Sequence, residues 1–274
     1  MDRSRGASAN IKDGIEGGDD DTGLMATDRE AFIDISPGVD ALPVHLCSRL
    51  PILLFFLDGM TLPNATFLRS DQLTVLISGF STSRLPLLRS LASSYTSSPS
   101  IAAVLIFWFN PHTPSQTLSK ALDLPSSSAT LISLIRHPSS SLNARFLPCR
   151  QIRTRAVAVC DDDIDLPPPS LEFAFKIWRF DPARLMGFFA RSHNLDLDRR
   201  SWIYTVHPDR FLMVLTKFMI LGTQYLHRYS WALEYREMRA AVDRMRNCED
   251  ILMNFVVAHE AGVGPTLVEA RSMV

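Results

Sequence analysis

Three things are scarce in this chain of 274 residues, and each absence closes off a class of function. Charge of one sign is the first: 28 lysines and arginines stand against 29 aspartates and glutamates, a formal net charge of −1. Without a basic surplus there is little to neutralise a run of phosphates, so no nucleic-acid partner is expected, although a local basic pocket for a diphosphate is still allowed. Cysteine is the second. Cys47, Cys149, Cys160 and Cys248 are scattered, and no two stand at a zinc-ligand spacing, which argues against a zinc site. Buried free thiols are the expected state of Cys149 and Cys160. A long apolar run is the third. The stretch from Leu50 to Leu57 is short, with Arg49 and Pro51 at its start, and a spanning helix needs roughly 20 mostly apolar residues. It reads either as a weak signal anchor or as an apolar stretch packing on the domain.

What is present is a hydrophobic fraction of 46%, enough for one substantial core. Residues 1–40 are rich in Asp, Gly and Ser and acidic on balance, and they are expected to be disordered because they cannot bury enough apolar surface. Residues 41–70 hold the apolar run and the glycosylation sequon Asn64-Ala65-Thr66, and read as a possible membrane anchor and stem. From residue 71 the chain changes character. LTVLIS, IAAVLIFWF, ATLISLI and TRAVAVC read as buried strands, RLPLLRSLASSY between the first two as a helix, and LMGFF as a further strand. The pattern predicts an α/β protein with a Rossmann-like mixed sheet flanked by helices. No internal repeat is visible.

The most informative stretch is AVAVCDDDID, where a buried strand runs directly into Asp161, Asp162 and Asp163. Three adjacent like charges must be solvated, neutralised or metal-bound. At the C-terminal end of a central strand, where an open α/β sheet opens its ligand crevice, carboxylates suit a hard divalent cation that bridges diphosphate oxygens. The structural alternative is a solvated acidic turn. Upstream, Arg145 offers a planar fork to phosphate and Asn143 an amide contact; Arg145 serves equally as a helix cap or surface ion pair. Arg84 stands at a strand-to-helix turn and Asn110 at the end of the second strand, on the same sheet edge. Glu249 and Asp250 open an apolar helix-like run, with Asn247 placed to cap it. A carboxylate there can stabilise charge at an anomeric carbon, or merely favour the helix start. His193 reads as a substrate contact or, alternatively, a satisfied structural histidine.

Taken in order from about Gln72 to about Glu269, the runs SLNARFLP, AVAVCDDDI, SLEFAFKIWR, GFFARSH, WIYTVHPDRFLMVLTKFMI and MRNCEDILMNF resemble glycosyltransferase family 64, the exostosin C-terminal domain family. VCDDD and RSHNLDLDRRSWIYTVHPD are similar to the branch of plant-type mannosyltransferases that act on inositol phosphorylceramide. The resemblance implies a GT-A fold over residues 71–274 and retention of anomeric configuration. It implies a manganese-like cation (Mn2+) and a type II membrane protein whose catalytic domain lies in the Golgi lumen. It carries over Asp163 and Asp161 as metal ligands, and Arg84, Asn110, Arg145, Asp161, Asp162, Asp163 and Glu249 as donor-binding positions. Asp250 matches the catalytic carboxylate. The implied reaction is mannose transfer from GDP-mannose to a glycosylinositol phosphorylceramide, a glycolipid acceptor. The alternatives are a UDP-N-acetylhexosamine donor, as in other branches, or a shortened non-catalytic homologue. Family members run on past Val274 into a segment with a functional arginine and a cysteine that forms a disulfide bond with the one matching Cys248. No residue of this chain matches either, and the domain is expected to be C-terminally shortened.

Overall fold

The computed structural model describes residues 67–123, 131–206 and 210–269. By contact the chain divides into Met1–Val44 and His45–Val274. The expected disordered segment, the apolar run and the sequon all lie outside the described residues.

The core is a sheet of seven strands in the order β10-β5-β9-β4-β1-β2-β3. Four strands form its parallel half: β1 (Arg69–Gly79), β2 (Ile101–Trp108), β3 (Ile132–Arg136) and β4 (Thr154–Asp161). These are the four apolar runs read from the sequence. β1 and β4 each bury five consecutive residues, as strands covered on both faces must. Beyond β4 lie β5 (Met186–Gly187), β9 (Phe218–Gly222) and β10 (Thr266–Leu267), and β9 runs antiparallel to both β4 and β5. LMGFF, expected to be a strand, contributes only Met186 and Gly187 to the sheet. A Cβ at Gly187 would come within 2.9 Å of the Phe218 carbonyl, so only glycine lets β5 approach β9 this closely.

Helices cover both faces. Alternate β1 residues Val75 and Ile77 pack with α1 (Leu85–Thr96) and α3 (Pro168–Phe180). Leu76 points the other way, into a cluster with α4 (Thr223–Trp231) and α6 (Glu249–Ala261). α1 buries Leu85, Leu88, Leu91, Ala92 and Tyr95, the 3–4 spacing of one helical face. α2 (Ser115–Leu122) and α5 (Arg236–Met245) complete the layers. The prolines of LPPPS do more than turn the chain: Pro168 stands at the first position of α3, where its missing N–H costs no helical bond. A second, three-stranded sheet, ordered β7-β6-β8, is formed by β6 (Ala190–Asp196), β7 (Ser201–Thr205) and β8 (Met213–Val214).

Candidate active site

Register brings the site together. Ser78 of β1 pairs with both Asp161 of β4 and Phe107 of β2, so the three strands end at one edge. β4 delivers Asp161 there, and its N–H donates to the Lys217 carbonyl at 3.3 Å, where β9 begins. The turn after it is pinned from α1, because the Tyr95 hydroxyl donates to the Ile164 carbonyl. Asp162 is thereby buried, whereas the side chain of Asp163 is 46% exposed.

Two arginines reach the triplet from different elements. Arg84 closes the 3-10 turn Thr82–Arg84 between β1 and α1. Its Nη1 donates to Asp162 Oδ1 at 2.5 Å and to Asp163 Oδ2 at 3.2 Å. Arg145 comes from the 3-10 turn Leu142–Phe146 before β4, and its side chain is 12% exposed. Its Nη1 lies 3.2 Å from Asp161 Oδ1, 3.2 Å from Glu249 Oε1 and 2.7 Å from Thr216 Oγ1. Its Nε–H is buried without an acceptor among the described residues.

Glu249 and Asp250 arrive on the first turn of α6. The helix entry is sharp: Cys248, the residue before the helix, has φ 75°. The expected Asn247 cap is replaced by a local contact, in which its Oδ1 accepts the Cys248 N–H at 2.8 Å. Asp250 accepts the Ile251 N–H at 2.8 Å. One turn on, buried Asn254 clasps Val214 of β8, accepting its N–H at 3.1 Å and donating to its carbonyl at 2.8 Å.

The electrostatics favour a cation. Burial raises the pKa of Glu249, against the pull of Arg145, and raises Asp250 and Asp162 for the same first reason, with neighbouring carboxylates adding to it. The guanidinium that Glu249 shares with Asp161 does not offset the desolvation of Glu249. Among the described residues no three His, Cys, Asp or Glu side chains converge on one point as a ready metal cage. Ions of the magnesium type do not need one: they are held by one or two carboxylates together with substrate phosphates. The half-exposed Asp163 carboxylate, beside Asp161, has the oxygen chemistry for that arrangement.

Other expected residues fare differently. Asn110 does lie just beyond β2, and its Oδ1 accepts the His112 N–H at 3.1 Å, which fixes its side chain with the amide nitrogen still available to a ligand. Asn143 is engaged inside the fold: it gives its amide to the Arg239 carbonyl at 3.0 Å and accepts the Tyr229 hydroxyl at 2.6 Å. His193 sits on β6 opposite Tyr204. The disulfide expected at Cys248 is absent among the described residues, where Cys149, Cys160 and Cys248 are free thiols. Thr216 and Tyr204 escaped the sequence reading. Tyr204 is 52% exposed on β7; partial desolvation and then the charge of Asp250 raise its hydroxyl pKa, with Arg191 opposing. A lone threonine and a tyrosine in an exposed hairpin carry no pattern that would mark them.

A Rossmann-like sheet with carboxylates at its C-terminal edge and arginines folded over them places these groups where open α/β sheets bind their ligands. Residues 73–274 match the glycosyl transferase family 64 domain, and the chain belongs to that family. Its mixed seven-stranded sheet flanked by helices agrees with the GT-A fold that the family likeness implied. It is 52% identical over 209 residues to glycosyltransferase family protein 64 C3 of Arabidopsis thaliana, covering 74% of this chain and 64% of that one. It is 37% identical over 144 residues to Exostosin-1 of Pongo abelii, covering 52% of this chain and 19% of the relative. The chain thus spans less than two thirds of either relative. Among solved structures, 4-diphosphocytidyl-2C-methyl-D-erythritol synthase from Anaerococcus prevotii shares the fold at TM-score 0.51 and 10% identity, over 76% of this chain and 91% of that one.

Proposed function

We propose that the chain transfers mannose from GDP-mannose to a glycosylinositol phosphorylceramide, with retention and with a divalent cation such as Mn2+. The observation that carries a nucleotide-sugar reaction is the Asp161–Asp163 triplet at the end of β4, engaged by Arg84 and Arg145 from two other elements. In this reading Arg84, Arg145 and the free amide of Asn110 contact the donor, with Glu249 and Asp162 orienting the arginines. Asp163 and Asp161 hold the metal, which offsets the charge growing on the departing nucleotide diphosphate. Asp250 faces the anomeric carbon and stabilises its positive charge in the transition state. The choice of mannose and of a lipid acceptor rests on the likeness of VCDDD and RSHNLDLDRRSWIYTVHPD to the plant-type branch. Residence in the Golgi membrane belongs to the same reading; among the described residues no helix is long and apolar enough to cross a membrane.

The test is transfer and donor hydrolysis across a panel of nucleotide sugars with added manganese. Turnover of GDP-mannose alone supports the proposal. Turnover of a UDP-N-acetylhexosamine instead moves the chain to the other branch of the family. Saturable donor binding without turnover makes it a non-catalytic homologue.

A further inference from the structure

The chain enters β9 through a cation that the site described above does not use. From Met213 to Thr223 every residue is buried except Lys217, which is exposed. Two contacts fix its backbone at the carboxylate edge. The Lys217 carbonyl accepts the Asp161 N–H at 3.3 Å, and with Cys160 paired to Phe218 this sets Lys217 opposite Asp161 where β4 and β9 meet. Residues directly opposite each other in an antiparallel pair project to the same face, with their Cβ atoms roughly 5 Å apart. Thr216, one residue earlier, accepts Arg145 Nη1 at 2.7 Å.

The ammonium group nevertheless stands apart from the acidic triplet. Among the described residues Lys217 forms no ion pair, and its Nζ lies over the Phe189 ring, 5.4 Å from the centroid. A cation over an aromatic ring at an exposed position is weakly held, and the flexible four-carbon stem of lysine lets its head turn to another partner.

The two arginines of the site are otherwise engaged. Arg84 donates to Asp162 and Asp163, and Arg145 donates to Asp161 while facing Glu249. Two guanidiniums thus meet four carboxylates, and Asp250 is a fifth within the field of Arg145 and Asp161. A divalent cation entering with a nucleotide diphosphate is occupied by the phosphates it bridges, so the donor meets an edge still short of positive charge. Lys217 can provide that charge without any movement of the backbone.

We propose that Lys217 is a further donor-binding residue. When donor binds, its ammonium leaves the Phe189 ring and pairs with the terminal phosphate of the nucleotide diphosphate, where negative charge collects as the sugar departs. The proposal rests on the reading of Asp161–Asp163 as a nucleotide-sugar site and is independent of the base and of the sugar.

The test is calorimetric titration of the whole chain, with manganese, using guanosine and uridine diphosphates and the matching monophosphates. Lys217→Met keeps the apolar stem and removes the charge. It should lose roughly tenfold to a hundredfold of the diphosphate affinity and little of the monophosphate affinity. Lys217→Arg should retain most of the diphosphate affinity, and thermal melts check that both variants fold. Acetylation of the wild-type chain, read by mass spectrometry, needs no substitution. Saturating diphosphate should protect Lys217, while Lys120 and Lys176, exposed on α2 and α3, react as before. Undiminished diphosphate affinity in Lys217→Met, equal losses for monophosphate and diphosphate, or undiminished acetylation of Lys217 overturns the proposal and leaves the nucleotide-sugar reading standing. A wild-type chain that binds neither diphosphate overturns both.

Discussion

Arg145 Nη1 stands 3.2 Å from Glu249 Oε1 and 3.2 Å from Asp161 Oδ1, so one buried guanidinium ties the start of α6 to the end of β4. The tie crosses the layers of the fold and joins two clusters that the chain holds far apart. The first prediction follows from it. Arg145→Ala should weaken nucleotide binding and also cost about 3 kcal/mol of stability, because it strands two largely buried carboxylates. The sequence offered Arg145 as a phosphate contact, or else a helix cap or surface ion pair; its 12% exposure makes it a buried tie whose loss the fold should feel. Arg145→Lys should recover part of the stability but less of the affinity, since lysine lacks the planar fork. Thermal melts and donor calorimetry on both variants check this, and a melt unchanged by the alanine variant would count against it.

Asp163→Ala should abolish the part of donor affinity that depends on manganese. Its half-exposed carboxylate is the member of the triplet open to a ligand, and its bond to Arg84 at 3.2 Å is longer than the one Arg84 makes to Asp162. Titrating nucleotide diphosphate with and without manganese is the measurement. The same metal-dependent gain in the variant would remove Asp163 from the metal site.

Asp250→Asn should lower turnover far more than donor affinity. A carboxylate acting on charge that appears only in the transition state contributes to the rate constant and little to ground-state binding. The amide retains an oxygen to accept the Ile251 N–H, so α6 should start in the same place. Equal losses in rate and affinity would make Asp250 a donor contact.

The pH dependence of stability should carry the mark of Glu249. Burial raises its pKa above the ordinary 4.5, so the folded state holds its proton more tightly than the unfolded chain does. That contribution is fully present below the unfolded value and is lost as pH rises through the folded one. Asp162 and Asp250 shift in the same direction, but they are common to wild type and a Glu249→Gln variant. Wild type should therefore gain in melting temperature relative to the variant as pH falls from neutral toward 4.5. A difference that stays flat with pH would mean that Arg145 fully compensates the charge.

Strands β1, β2 and β4 were legible because strands buried on both faces leave unbroken apolar runs, and the acidic triplet because it interrupts one. Helix α1 showed its face by spacing. Direction was not legible: FMILG in β9 has the composition of a parallel core strand, and nothing local says that it runs against β4. The two-residue strands β5, β8 and β10 are too short to leave a pattern. Side-chain roles divided along similar lines. The place of Arg84 after a strand is local and could be read, whereas the partners of Asn143, Arg239 and Tyr229, lie on other elements and could not. The partnership of Arg145 with Thr216 and Glu249 is equally long-range and invisible to spacing.

The reversed direction of β9 has an architectural consequence. After β4 the chain passes through α3 and adds β5 to the sheet, and β9 then runs back between β5 and β4, with Gly187 beside Met219 and Cys160 beside Phe218. The stretch between β5 and β9, which carries the β6–β7 hairpin and β8, is an excursion whose two ends are held side by side by the pairing of Gly187 with Met219. Such a segment can lengthen, shorten or change its lining without shifting the two strands that hold its ends. The β5–β9 pairing thus separates two kinds of inheritance, a fixed sheet that carries Asp161 and an exchangeable wall beside it, so that the surroundings of the carboxylates can change by rewriting one bracketed stretch of chain.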